Sequence, residues 1–317
     1  MSTILVTGGA GFIGSHVVDA YIAAGHRVTV VDNLSHGRRE NVHPAAAFYQ
    51  VDLRDEAALE RVFAAERPDF IAHQAALASV RESLVIPEEY AQVNIVAGIG
   101  LLELARKYGV RKVIYASSGG AGYGEGRGQP PFREDWPVHP VDPYGVSKIA
   151  FEFYLYSYQC NYGLDHIVLR YANVYGPRQD PHGEAGVVAI FAGRMAAGQP
   201  CIINGNGAKV RDFVYVADIA AANVLALAAG GGIVNIGSAV PTTIQAIFDG
   251  LRAVSPGYAL VPIYGPDKPG EVWASCLDNR LAAETLGWAP EVSLGGGLAA
   301  TAAYFRGEIE RGDREGR

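Results

Sequence analysis

TGGAGFIG, Thr7–Gly14, stands where a short apolar strand at 3–7 gives way to a helix at 15–24. Gly8, Gly11 and Gly14 are spaced G-x-x-G-x-x-G, one place off the G-x-G-x-x-G form. Glycines at such a junction allow a tight turn, close approach of backbone to a pyrophosphate, and close helix–strand packing. The phosphate then rests on the helix N-terminus. Asp32 follows Gly14 by 18 residues, at the end of a second apolar run. A carboxylate there holds ribose hydroxyls and repels a 2′-phosphate. The stretch therefore predicts NAD rather than NADP, although Arg38 and Arg39 argue the other way. Asp52 and Leu53 fall where the adenine of such a cofactor would lie, and Asp52 could equally cap a helix.

Outward from this turn, strand and helix patterns alternate. Strands are expected at 26–32, 48–52, 70–74, 112–117 and 165–169. Helices are expected from 52–55 to 63, over about 87–108, and from 144 to 162. Alternation of this kind builds a parallel, doubly wound sheet. The pattern changes after 171–176, where the Pro/Gly/His-rich PRQDPHGEAG marks a domain junction. A helix at 187–197, an extended piece at 201–204, a turn at 204–207 and strands at 212–216 and 233–236 follow. The predicted fold is α/β: a Rossmann-type sheet with a smaller C-terminal α/β substrate-binding domain. Residues 1–176 form the first domain, with a return segment at 213–237. Residues 177–212 and 238–317 form the second, ending in a charged tail, 306–317, expected to fray.

The chain has 317 residues, 26 Lys and Arg against 33 Asp and Glu, a net charge of −7, and mean hydropathy of +0.09. That balance argues against nonspecific nucleic-acid or anionic-membrane binding. No apolar run approaches a membrane span, and the N-terminus reads as a strand rather than a signal peptide. Cys160, Cys201 and Cys276 show no metal spacing and suit reduced, cytoplasmic thiols. No metal is expected.

YGVSK places Tyr144 and Lys148 one helical turn apart, on one face. A phenol titrates near 10, so as a base it needs a neighbouring cation such as this lysine and a positively charged nicotinamide. Ser117 and Ser118 follow the fifth strand, at the sheet edge where sites form. Either hydroxyl could bond the reacting oxygen.

The ordered blocks TGGAGFIGSH, VDNLSHGRREN, VDLRD, HQAALASVRES, VNIVAGIGLLE, YASSGGAGYGE, PYGVSK, RYANVYGPRQDPHGEAGVVAIF, RDFVYVADIA and KPGEVWASCLD cover nearly the whole chain. The chain resembles the extended short-chain dehydrogenase/reductases and, within them, the UDP-glucose (UDP-galactose) 4-epimerases. The resemblance implies a homodimer that keeps NAD through the cycle and inverts carbon 4 of a UDP-hexose through a 4-keto sugar. It implies that Gly8, Gly11, Phe12, Ile13, Gly14, Asp32, Asn33, Asp52, Leu53, Ala75, Asn94, Tyr144, Lys148 and Tyr171 hold NAD. Tyr144 would take the proton, Lys148 would bind the nicotinamide ribose and lower the phenol's pKa, and Ser118 would relay the proton. Ser79, Arg81, Ser118, Tyr144, Asn173, Arg211, Lys268, Glu271 and Ser275 would hold the UDP-sugar.

Some positions depart from the family pattern. Many relatives carry a hydroxyl four places before Tyr123, where this chain has Gly119, so the hydroxyl lies between Ser117 and Ser118. Gly122 replaces a bulky residue, Val-Ala-Gly-Ile alters the pattern after Asn94, and Lys268 stands where arginine is usual. Ser275 is small where relatives limit room at sugar carbon 2, which favours N-acetylated UDP-sugars as well. Gly120 and Ala121 replace the acid pair of the 4,6-dehydratases. A UDP-glucuronate 4-epimerase, with Arg81 meeting the carboxylate, is the nearest alternative. A non-catalytic NAD-sensing protein is the alternative of another class, and the retained tyrosine and lysine weigh against it.

Overall fold

The computed structural model describes residues 1–125, 130–181, 186–267 and 272–315. Its strands, in chain order, are β1 (Thr3–Thr7), β2 (Arg27–Asp32), β3 (Ala47–Gln50), β4 (Phe70–His73), β5 (Lys112–Ser118), β6 (Asp165–Tyr171), β7 (Asn173–Tyr175), β8 (Ile202–Asn204), β9 (Val210–Tyr215), β10 (Gly232–Ile236), β11 (Pro241–Thr243) and β12 (Ile263–Gly265). TILVT, RVTVVD and HIVLRY are near-continuous apolar runs, as strands covered on both faces must be. They pair in parallel in a seven-stranded sheet of order β10-β6-β5-β4-β1-β2-β3. Strand order reverses between β1 and β4, so the carboxyl ends of these strands open a crevice there.

Successive side chains of each strand feed opposite layers. Ile4, Val6, Val30, Ala72, Ile114 and Leu169 pack with the helices Phe12–Ala23 and Val216–Ala226. Leu5, Val31, Ile71, Val113 and Val168 pack with the helices Glu56–Glu66, Ala97–Tyr108 and Pro143–Tyr162. A third cluster, including Phe191, Ile203, Phe213, Phe248, Leu298 and Phe305, forms the core of a smaller lobe. In that lobe β9 runs between β11 and β7, and β8 pairs with β12.

Several element bounds differ from the sequence expectation, each for a local reason. The first helix begins at Phe12, inside the glycine motif. The second starts at Glu56, because the Asp55 carboxylate accepts from the Ala58 N–H at 2.9 Å and caps it; Asp52 does not. The span 87–108 is broken: Pro87–Ala91 is followed by a π-helical turn, Gln92–Val96, before the helix Ala97–Tyr108. Of the segment 213–237, residues 213–215 finish β9, the helix Val216–Ala226 lies on Phe12–Ala23, and β10 joins the large sheet beside β6. Among the described residues the tail is helical rather than frayed, as far as Glu315. The helix Leu294–Glu315 runs through it, anchored by buried Leu298, Ala302 and Phe305 at helical spacing.

Candidate active site

The glycine turn is pressed from two sides. Gly8 has φ +70°, and a Cβ there would lie 2.6 Å from the Ala75 nitrogen; a Cβ on Gly14 would lie 2.1 Å from the Gly8 carbonyl oxygen. Hydrogen alone fits at both. Beneath the turn, Thr7 Oγ1 lies 2.7 Å from His73 Nδ1 and accepts from the Ala75 N–H at 3.3 Å. The helix that follows has Gly11 at its N-cap and no side-chain cap, so the N–H ends at Phe12, Ile13 and Gly14 present a positive dipole end. Asp32, buried at the end of β2, accepts from the N–H groups of Ala10 (3.0 Å) and Leu34 (2.8 Å). It braces the turn and keeps lone pairs for ribose hydroxyls. Asn33 donates to Asp52 at 3.0 Å, and hydrogen bonds from Arg54 hold the Asp52 carboxyl far below the usual range. Leu53 is buried beside them. A cradle filled by any Cβ and a bare helix N-terminus fit a dinucleotide.

The chemical groups lie along the carboxyl ends of β5 and β6. Asp142 caps the helix Pro143–Tyr162 through the Gly145 N–H at 2.7 Å, which puts Tyr144 in its first turn. The Ser118 side chain lies beside the Tyr144 phenol and lowers its pKa. Ser118 Oγ accepts from the Ala121 N–H at 3.3 Å. Lys148, buried a turn further on, donates to the Ala116 carbonyl at 2.8 Å and sits 4.9 Å from the Tyr115 ring centre. Burial pushes the phenol up to about 12, opposed by Ser118. Burial also pushes the ammonium down to about 7, opposed by Glu152. Burial is the dominant influence on the phenol, and the Lys148 ammonium is engaged with the β5 backbone.

The two serines separate cleanly. Neighbouring residues of a strand face opposite ways, and Ser117 turns from the phenol to donate to Glu152 Oε1 at 2.6 Å. Asn94, in the π-turn, accepts from the Leu77 N–H and donates to the Leu77 carbonyl and Ser147 Oγ, each at 2.9 Å. It fastens the loop after β4 to the helix that carries Tyr144. Tyr171, paired in register with Ser118, accepts from Asn223 Nδ2 at 2.8 Å. Burial raises its phenol to about 12.

The turn after Ser118 opens toward the second lobe. A Cβ on Gly120 would meet Asn173 Oδ1 at 3.8 Å and Ser275 Oγ at 3.9 Å, so these two side chains converge above it. Gly119 and Gly122, by contrast, are filled by Leu277 and Ile149, at 2.6 and 2.8 Å from their would-be Cβ atoms. That contact explains the missing bulk at Gly122. Arg211 donates to the carbonyls of Val210 and Trp273, on either side of the Ser275 N–H bond to Val210. Ser79 caps the short helix Val80–Val85 through the Glu82 N–H at 3.0 Å, and Arg81 is exposed in its first turn. Lys268 and Glu271 lie outside the described residues.

Sequence reasoning missed the approach of Asn173 and Ser275 over Gly120 and a buried ion pair, Glu152–Arg170. Glu152's position four residues beyond Lys148 was the available signal. It missed Asp212 too, which accepts from the Ser238 N–H and hydroxyl, the Ala239 N–H and the Leu277 N–H. A cavity of about 620 Å³ lined by Arg38, Gln179, Arg194 and Tyr304 includes none of the chemical groups. Among the described residues no cluster of three or more His, Cys, Asp or Glu could hold a metal, and no helix is long and apolar enough to cross a membrane.

Fold and site together define a nicotinamide-dinucleotide enzyme of the short-chain dehydrogenase/reductase type. The chain belongs to the NAD dependent epimerase/dehydratase family, whose model matches residues 4–237. It is 44% identical over 313 residues to a UDP-glucose 4-epimerase of Mycolicibacterium smegmatis, covering 96% of this chain and 99% of the relative. A Thermotoga maritima UDP-glucose 4-epimerase solved with UDP-glucose superposes with a TM-score of 0.94 at 49% identity, over 97% of this chain and 99% of that one. The Thermus thermophilus UDP-glucose 4-epimerase, in complex with NAD, gives 0.91 at 46% identity, over 96% and 99%.

Proposed function

We propose that this chain inverts carbon 4 of a UDP-hexose, interconverting UDP-galactose and UDP-glucose with NAD held through the cycle. The observation that carries the reading is the Ser118 side chain set beside the Tyr144 phenol at the mouth of the crevice, with buried Lys148 one helical turn below. NAD would be held by the Gly8–Gly14 turn with Phe12 and Ile13, by Asp32 and Asn33 at the ribose, and by Asp52 and Leu53 at the adenine. Ala75, Asn94, Tyr144, Lys148 and Tyr171 would surround the nicotinamide end. When bound, NAD supplies the hydride acceptor and donor and a positive charge beside the phenol.

Tyr144 takes the proton from the carbon 4 hydroxyl and Ser118 relays it, roles that require both to come within hydrogen-bond reach of that oxygen. Ser117 is the lesser candidate, being engaged with Glu152. A phenol at about 12 must fall by several units to work near neutrality, which takes about 7 kcal/mol at 1.36 kcal/mol per unit. Neither a burial-lowered lysine nor the cofactor's charge would suffice alone. Asn173 and Arg211, with Lys268 and Glu271, hold the UDP moiety, and Ser79 and Arg81 line the sugar's approach. Ser275, which with Asn173 lies at van der Waals distance from a Cβ on Gly120, is small, and that small side chain is what favours a carbon 2 acetamido group. We place the enzyme in the cytoplasm, as a homodimer formed through the outward row Val146, Phe153 and Tyr156 of the helix Pro143–Tyr162.

The test is direct. Protein purified without added cofactor carries nicotinamide and converts UDP-galactose to UDP-glucose with no net reduction of NAD. Turnover of UDP-glucuronate with none of UDP-galactose replaces the reading with the glucuronate epimerase.

A further inference from the structure

Behind the catalytic groups lies a chain of buried polar side chains that the reaction does not touch. Glu152 and Arg170 form a two-pronged ion pair at 2.6 and 3.0 Å, their side chains 5% and 4% exposed. Ser117 Oγ donates to Glu152, and Arg170 donates at 2.9 Å to the Tyr123 phenol, which donates in turn to Asn235. Burying such a pair is costly, and an apolar pair would serve packing as well or better. Its place is what distinguishes it. Glu152 is four residues beyond Lys148, on the same helical face. Lys148 reaches the carbonyl of Ala116 and Glu152 reaches the hydroxyl of Ser117, so adjacent residues of β5 receive adjacent turns of one helix.

We propose that Glu152 is a positioning residue for the reaction: its carboxylate, oriented by Arg170 and Ser117, is the counter-charge that keeps the buried Lys148 an ammonium facing Ala116. The inference rests on the epimerase reading only in giving Lys148 its task. The groups that face Lys148 are Tyr144 and Glu152 from its own helix, Tyr115 from β5, and His73 from β4. Arg170, from β6, is locked to Glu152. Glu152 is the one whose charge opposes the desolvation of Lys148.

The chain has five lysines, so ε-¹³C-lysine resonances resolve singly, with Lys148→Met assigning the signal. In the NAD-loaded protein, Glu152→Gln should lower the Lys148 titration midpoint by a unit or more. It should move the alkaline limb of kcat down equally, with KM for UDP-galactose within twofold of wild type. Arg170→Gln, which leaves the carboxylate unpaired, should move both upward. Should a single variant not fold, the double variant Glu152→Gln/Arg170→Gln removes both charges and should titrate between the two single variants, above Glu152→Gln. Shifts of the same sign in both single variants, or none in any variant, would overturn the inference. A wild-type protein that leaves UDP-galactose unchanged while the midpoints move as stated refutes the epimerase reading and upholds this one.

Discussion

Two adjacent serines at the end of β5 show how much one residue's direction decides. Ser118 meets the phenol and Ser117 meets a buried carboxylate, because a strand alternates its faces. Tyr144→Phe should lower kcat by about 10²- to 10⁴-fold while leaving bound NAD in place. Ser118→Ala should cost one to two orders of magnitude, and Ser117→Ala less than tenfold; equal losses in coupled assays would undo the assignment. A second prediction concerns His73, buried against Tyr115 and Phe151 with its pKa pushed down by burial to about 3. As pH falls through 6.5 the unfolded chain takes up this proton and the folded chain does not until about 3. Stability is therefore lost progressively across that window. At pH 5 the loss from this group is about 2 kcal/mol. Urea melts of wild type and His73→Asn at pH 7.5 and 5 should differ by that amount in their pH dependence.

Among the elements, the turn Gly119–Gly122 carries most of the specificity argument. Its glycines look alike in sequence but serve opposite ends. Gly122 is occupied by Ile149, so Gly122→Val overpacks the contact and should cost about 1–3 kcal/mol, read as a lower urea midpoint. A Cβ on Gly120 meets Asn173 and Ser275 only at ordinary contact distance, so Gly120→Ala should leave the midpoint nearly unchanged. It should instead raise KM, more for UDP-N-acetylglucosamine than for UDP-glucose. The broken helical span after Pro87 belongs to this scale too. Pro87 cannot donate to the preceding turn, and Asn94 spends its amide on Leu77 and Ser147 rather than on solvent.

At the scale of the molecule, one large apolar core lies on each face of the large sheet and a third fills the smaller lobe, with a small fourth cluster around Tyr123, Phe132 and Leu277. The chain leaves Phe153 and Tyr156 of the Pro143–Tyr162 helix 67% and 62% exposed, on the helix whose first turn holds Tyr144. The proposed homodimer would cover these two rings. Phe153→Asp should halve the mass seen by sedimentation and leave the far-UV spectrum unchanged; a wild type that sediments as a monomer refutes the pairing.

The sequence by itself determined the alternation of strand and helix, the glycine turn with Asp32, and the Tyr144–Lys148 spacing. All are encoded locally, in apolar periodicity and in residues a few places apart. It also marked 233–236 as a short apolar strand free to return to the main sheet, and the fold pairs that strand with β6. Only the tertiary structure decided which serine faces the phenol, that Gly120 can take a Cβ while Gly119 and Gly122 are filled, and that Glu152 meets Arg170 and Ser117. Those outcomes depend on contacts between residues 18 to more than 150 positions apart, fixed when helix, sheet and second lobe close on one another. Desolvation likewise belongs to the closed fold: the same YGVSK that promises an easy phenolate places its lysine where burial pushes the ammonium down to about 7.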